Sequence, residues 1–225
     1  VPEAPGALYL RPMLIGTGAS IGGAATPPAE AMLIVLASPV WDYFTSGPKA
    51  LRIYVEEQAT RCASHLGMVK TGGNYAAAMG PTLAARQKHQ ADQVLFCPGG
   101  EVQETGAANF LLIQEGKILT RGLDTTFLHG VTRESLLAIA PDMGFKVEES
   151  VFTVEEMLDW VKDGEAALSG TAAVLAGVGT LVRQGGREYK VGTGEVGANT
   201  RRLRAALVAM QQGEVPTPAG WTTRV

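Results

Sequence analysis

The sequence predicts an α/β (or α+β) fold. Short apolar runs of strand length, several rich in Val, Ile and Leu, alternate with segments of helix length, and Gly- and Pro-rich turns separate them. Composition agrees, since 46% hydrophobic against 18% charged residues is the balance of a chain with a sizeable core. A length of 225 residues leaves room for one large domain, or one domain plus part of another.

Residues 8–16 and 31–40 read as buried strands, and the Gly/Ala/Pro segment 16–29 between them as a loop. The polar, turn-prone segment 44–49 marks a linker, so the chain divides into 1–44, a linker over 45–52, and a larger part, 53–225. After it, 51–56 reads as a strand, 75–90 as a helix despite Gly80-Pro81, and 94–97 as a short apolar strand. Residues 109–114 and 117–120, joined by Glu115-Gly116, form a hairpin pattern. A helix over 132–140 and an alternating strand over 146–152 follow. Thr153 with Glu156 three positions on is a capping box opening a helix over 154–163. A short strand at 166–168, a turn at Ser169-Gly170-Thr171 and a last helix over 197–212 complete the pattern, with no internal repeat.

Several functional classes are disfavoured. The net charge of -3 gives no basic excess, so neither nucleic acid nor an acidic membrane surface is expected as the main partner. Cys62 and Cys97 form no CxxC pair, which argues against a disulfide scaffold or cysteine zinc site and suits a reducing cytosol. His65, His89 and His129 lack metal-ligand spacing. No stretch has the length of a membrane-spanning helix, and the first residues do not read as a signal peptide. The chain opens Val-Pro-Glu without an initiator methionine, as a piece of a longer polypeptide would.

Four segments carry candidate chemistry. Lys70 stands beside Gly72-Gly73, where backbone can be approached closely, and partial desolvation there would favour a nucleophilic amine. Read alone it is far more commonly an ordinary surface lysine ahead of a helix. Glu104 precedes the nearly all-apolar strand 109–114 and could pair with a cation such as a pyridinium nitrogen, or be an exposed turn acid. Gly130-Val131-Thr132-Arg133 opens a helix whose free N–H groups favour an anion. Ser169-Gly170-Thr171-Ala172-Ala173 offers hydroxyls and amides in a turn. Both also fit plain capping or turn chemistry. Gly16-Thr17-Gly18 lacks dinucleotide-fingerprint spacing, and His129 reads as a structural or solvated loop histidine. Arg201, Arg202 and Arg204 read as a solvated helix face, and Asp159-Trp160 as packing.

In this order, the segments Lys70 to Tyr75 (KTGGNY), Glu104 to Phe110 (ETGAANF), His129 to Arg133 (HGVTR) and Ser169 to Ala173 (SGTAA) resemble the branched-chain amino acid aminotransferases. These belong to fold type IV of the pyridoxal 5′-phosphate (PLP) enzymes. The likeness runs from Leu8-Tyr9-Leu10-Arg11-Pro12 to Trp221. It implies that Lys70 is the Schiff-base (internal aldimine) lysine, that Tyr75 hydrogen-bonds the phenolic oxygen, and that Glu104 pairs with the pyridine nitrogen. Val131, Thr132 and Thr171 would hold the phosphate, the Thr171-Ala172 turn would face the substrate carboxylate, and Tyr9 and Arg11 would line the substrate side. The implied reaction is transamination of Leu, Ile or Val with 2-oxoglutarate, giving glutamate, in a cytoplasmic homodimer. Residues 1–44 would then be the C-terminal part of a small domain and 53–225 the large PLP-binding domain.

The chain departs from the family pattern at Ala107, where many members carry a hydroxyl, at His129, where proline or similar is usual, and at Ala173, where some members have a redox cysteine. Family members also carry about a hundred residues before this start, the size of one small domain, including an arginine for the PLP phosphate. D-amino-acid transamination and aminodeoxychorismate lysis are rival reactions on the same scaffold, and an inactive truncated fragment is a third reading. The Leu8–Pro12 segment favours the branched-chain group.

Overall fold

Two apolar runs near the start of the chain pair with each other. β1 (Ala7–Gly16) and β2 (Ala31–Val40) are antiparallel along their whole length, from Ala7 opposite Val40 to Gly16 opposite Ala31. They lie in the first of two compact units, Val1–Thr45 and Ser46–Val225, of a computed structural model that describes residues 2–3, 6–19, 26–41 and 49–223. The expectation that both strands are buried is corrected: the facing residues Leu14 and Leu33 are 72% and 65% exposed. A two-stranded ribbon has two open faces, and among the described residues of this unit no helix or third strand covers either. Half of the expected linker over 45–52 falls outside the described residues, as does part of the 16–29 loop, and its last two residues, Leu51 and Arg52, belong to a strand of the second unit.

The second unit is built on one mixed sheet. Its strands are β3 (Leu51–Glu56), β4 (Gln93–Phe96), β5 (Asn109–Gln114), β6 (Lys117–Thr120), β7 (Lys146–Glu149), β8 (Glu165–Gly170), β9 (Val174–Val182) and β10 (Glu188–Lys190). Their spatial order is β4-β3-β9-β8-β5-β6-β7, with β10 added to β9. Helices α1 (Gly72–His89), α2 (Val131–Ile139), α3 (Val154–Trp160) and α4 (Ala198–Gln211) pack around it. Two parallel pairs (β3–β4, β3–β9) lie at one edge and one (β6–β7) at the other, with three antiparallel pairs between them, so the expected α/β class holds in its mixed form.

Strand β5 shows why an almost unbroken apolar run is stable here. Phe110 and Leu112 face a core that includes Val154 and Met157 of α3, while Leu111 and Ile113 face Leu136 of α2 and Leu203 and Leu207 of α4. A strand covered on both faces needs no polar alternation. Gly116, with φ +69, closes the β5–β6 hairpin. The capping box of α3 forms as expected: the Glu156 N–H donates to Thr153 Oγ1, and the Thr153 N–H to Glu156 Oε2.

The sequence reading missed β9 and β10. Gly177 and Gly179 interrupt the apolar run of β9 and weaken its strand signal. The fold requires them, because a Cβ on Gly177 would lie 2.8 Å from Val196 Cγ1, and one on Gly179 2.3 Å from the Gly194 carbonyl. The loop ahead of α4 lies directly on this strand. Elsewhere, α1 begins at Gly72, earlier than expected, β8 extends through Gly170, and β7 ends at Glu149.

Candidate active site

Loops at one end of the second unit's sheet enclose a cleft of about 230 Å³. Lys70, Tyr75, Glu104, Val131, Thr132 and Thr171, separated by up to 101 positions in the chain, all line it. Ala172, next in the turn after Thr171, is exposed and lies outside the lining. Tyr9 and Arg11 belong to the first unit, where Arg11 Nη2 donates to Tyr9 Oη at 3.0 Å and the guanidinium lies 5.3 Å from the ring centroid.

Lys70 is carried on a loop stapled to the first turn of α1. Asn74 Nδ2 donates to the carbonyls of Leu66 (2.7 Å) and Val69 (2.9 Å), and the Thr71 N–H donates to Val69 O. Lys70 Nζ donates to Tyr75 Oη at 2.7 Å. One turn of helix therefore brings the amine and the phenol together. Lys70 itself is exposed. Gly67 in this loop presses on the 121–130 loop, since a Cβ there would lie 2.0 Å from the Thr126 carbonyl carbon.

Glu104 is buried, only 3% exposed, so the reading as a surface turn acid is wrong. Oε1 accepts the Leu128 N–H at 3.0 Å and lies 2.8 Å from Arg61 Nε, and Oε2 accepts from Asn109 Nδ2 at 2.9 Å. The Arg61 N–H is not aimed at the oxygen, so that contact is a charge pair rather than a linear hydrogen bond. Burial pushes the carboxyl up to about 7, against the pull of Arg61, the Leu128 N–H and Lys70. The carboxyl is thus held away from water, beside the buried Arg61 guanidinium.

Asn109 links the two ends of the cleft. Its Nδ2 bridges Glu104 and the Leu128 carbonyl, while its Oδ1 sits 2.0 Å from where a Cβ on Gly130 would be. Gly130 is the N-cap of α2, and among the described residues no side-chain cap is made there. The first intrahelical bond runs from the Glu134 N–H to Gly130 O, leaving the N–H groups of Val131, Thr132 and Arg133 without an intrahelical acceptor. The Arg133 side chain turns away, buried against the Arg121 carbonyl and Glu149. His129 lines the cleft and its Nε2 contacts the Asp124 carbonyl at 2.9 Å.

The loop before α2 is braced from behind. Arg121 pairs with Glu101 and Asp124, and Asp124 Oδ1 accepts from both the N–H and the hydroxyl of Thr126. Burial works to raise the Asp124 carboxyl, but the Thr126 hydrogen bonds and Arg121 outweigh it and hold it below the usual range. On the far wall, Thr105 organises its turn by accepting the Ala108 N–H and donating to the Ala108 carbonyl. Arg61 and Asn109 were not assigned roles from sequence; Arg61, far along the chain from Glu104, left no local pattern to find.

The family model for amino-transferase class IV matches residues 2–180. The chain belongs to the class IV aminotransferases. It is 39% identical over 224 residues to a probable branched-chain-amino-acid aminotransferase of Streptomyces coelicolor, covering 95% of this chain and 60% of that protein. Against the mitochondrial branched-chain-amino-acid aminotransferase 1 of Arabidopsis thaliana it is 39% identical over 233 residues, covering 100% of this chain and 57% of that one. The chain therefore spans somewhat over half the length of these relatives. The solved branched-chain amino acid aminotransferase of Escherichia coli has a TM-score of 0.80 and 25% identity, over 95% of this chain and 69% of that one. The mixed α/β sheet is thus the class IV aminotransferase architecture. Among the described residues no helix is long and apolar enough to cross a membrane, and no group of three or more His, Cys, Asp or Glu could hold a metal ion.

Proposed function

We propose that this chain carries the PLP-binding part of a branched-chain L-amino-acid aminotransferase, which moves the amino group of Leu, Ile or Val to 2-oxoglutarate and yields glutamate. One observation carries the reading. A lysine hydrogen-bonded to a phenol, a buried carboxylate and an uncapped helix N-terminus share a single cleft. These are the partners that an aldehyde, a ring cation and a phosphate each need, so the donor set fits PLP.

Bound PLP supplies an electron-withdrawing ring that stabilises negative charge at the amino acid Cα. The protein supplies the rest. Lys70 Nζ is the point of attachment and the base that takes and returns the Cα proton, and Tyr75 Oη orients it. Glu104 is the partner for the ring nitrogen: it is a buried carboxyl in the cleft lining, and Arg61, Leu128 and Asn109 fix its position. The Val131 and Thr132 amides and Thr171, all in the cleft lining, receive the phosphate, and the adjoining Thr171-Ala172 turn is proposed for the substrate carboxylate. Tyr9 and Arg11 are proposed for the substrate side.

Residues 1–44 are read as the C-terminal part of a small domain, 45–52 as the linker and 53–225 as the PLP domain, which the division into two units supports. The exposed apolar residues Met79 and Leu83 on α1 support a homodimer. A cytoplasmic location accompanies this reading.

The test is a visible absorption spectrum of the purified chain with PLP, before and after L-leucine. A protein-bound band that shifts with leucine but not with D-alanine or aminodeoxychorismate is the expected result. A band that responds only to one of the others would assign a different reaction to the same site, and failure to bind PLP would sink the reading.

A further inference from the structure

Among the described residues that line the cleft, Ser169 has a buried hydroxyl that the assignments above leave idle. It is 1% exposed, and its Oγ has no hydrogen-bond partner among the described residues. A buried hydroxyl left unpaired is costly, and in a native fold it points to something that completes it.

The sheet register says where this hydroxyl lies. Ser169 is directly opposite Asn109 in the β5–β8 ladder, and directly opposite residues project to the same face. Two residues earlier, Ala167 packs with Leu136 of α2 and Leu203 of α4, so Ser169 is on the α2 side of the sheet. Asn109 Oδ1 lies against Gly130, the N-cap of α2. The orphaned hydroxyl is therefore at the uncapped end of that helix, with Thr171 two residues on in the same lining. Two independent features, free helix N–H groups and an unpaired buried O–H, converge on one anion.

We propose that Ser169 is a further phosphate ligand of the site, donating through its Oγ–H to an oxygen of the phosphate monoester held at the α2 N-terminus. This rests on the functional reading above. The hydroxyl then contributes nothing to the stability of the unliganded protein and acts only on the phosphorylated ligand.

Ser169→Ala tests this through binding, with wild type measured alongside. Spectral titrations with PLP and with pyridoxal, which has the same ring and aldehyde but no phosphate, are compared. The expected result is PLP affinity lowered roughly 10- to 100-fold, the range for one hydrogen bond to a charged acceptor. Pyridoxal affinity stays unchanged, and the melting temperature of the ligand-free variant is equal to or above wild type. Equal PLP affinity in the two proteins would overturn the assignment, as would equal weakening of PLP and pyridoxal. A clear fall in the ligand-free melting temperature would also overturn it, because the hydroxyl would then have a structural partner. If wild type itself binds no PLP, the functional reading fails and Ser169 falls with it.

Discussion

The burial of Glu104 makes a prediction about pH that needs no cofactor. In the folded chain its carboxyl titrates at about 7, against an ordinary value of 4.5, chiefly because it is desolvated. Below pH 4.5 folded and unfolded chains both hold this proton, and the residue adds no pH dependence. Between 4.5 and 7 the folded chain keeps a proton that the unfolded chain has released, so unfolding free energy falls as pH rises. Above 7 both are ionised and the native state bears the full cost of a buried charge. At about 1.36 kcal/mol per pH unit, the interval corresponds to about 3 kcal/mol. Glu104→Gln is a permanently neutral mimic that leaves Arg61 where protonated Glu104 leaves it. Urea unfolding of both proteins from about pH 4.5 to about 8.5 should give similar stabilities at the acid end. At the alkaline end the variant should be more stable by about 3 kcal/mol. Other titrating groups cancel in the difference. Adding PLP should flatten the wild-type slope, since a ring cation beside Glu104 favours its charged form. Parallel pH profiles for the two ligand-free proteins would refute the reasoning.

Three further outcomes are expected. Lys70→Ala should lose the visible band formed with PLP and any response to leucine; an unchanged spectrum would remove Lys70 from its role. Thr171→Ala should weaken PLP binding by about 1–3 kcal/mol, the range for one hydrogen bond to a charged group, with no effect on pyridoxal. Gly130→Ala forces a methyl to within 2.0 Å of Asn109 Oδ1. It should cost about 1–3 kcal/mol of stability by overpacking and loosen PLP as well, both read by thermal melts with and without the ligand.

Most of the second unit's elements were legible because local physics dictates them. The Thr153–Glu156 capping box, the Gly116 hairpin and the two-sided apolar run of β5 each signal their structure within a few residues. The lysine, the carboxylate and the two candidate anion-binding turns were legible only as an ordered set, since each alone is ordinary. Strand β9 was not legible. Its glycines answer to Val196 and Gly194, residues that no local pattern places on that strand. The burial expected for β1 and β2 also failed, because apolar composition states what a strand can bury and not what covers it.

What the sequence determined by itself was the α/β class and the residue types able to do the chemistry. Tertiary structure alone decided their state. It gathered Lys70, Glu104, Val131 and Thr171 around one cleft, and it made Glu104 a buried carboxylate by closing Arg61, Leu128 and Asn109 around it. It also left the Ser169 hydroxyl unpaired among the described residues, beside an uncapped helix. The physical reason is that desolvation and hydrogen-bond partnership depend on neighbours distant in the chain, and no window of sequence contains them.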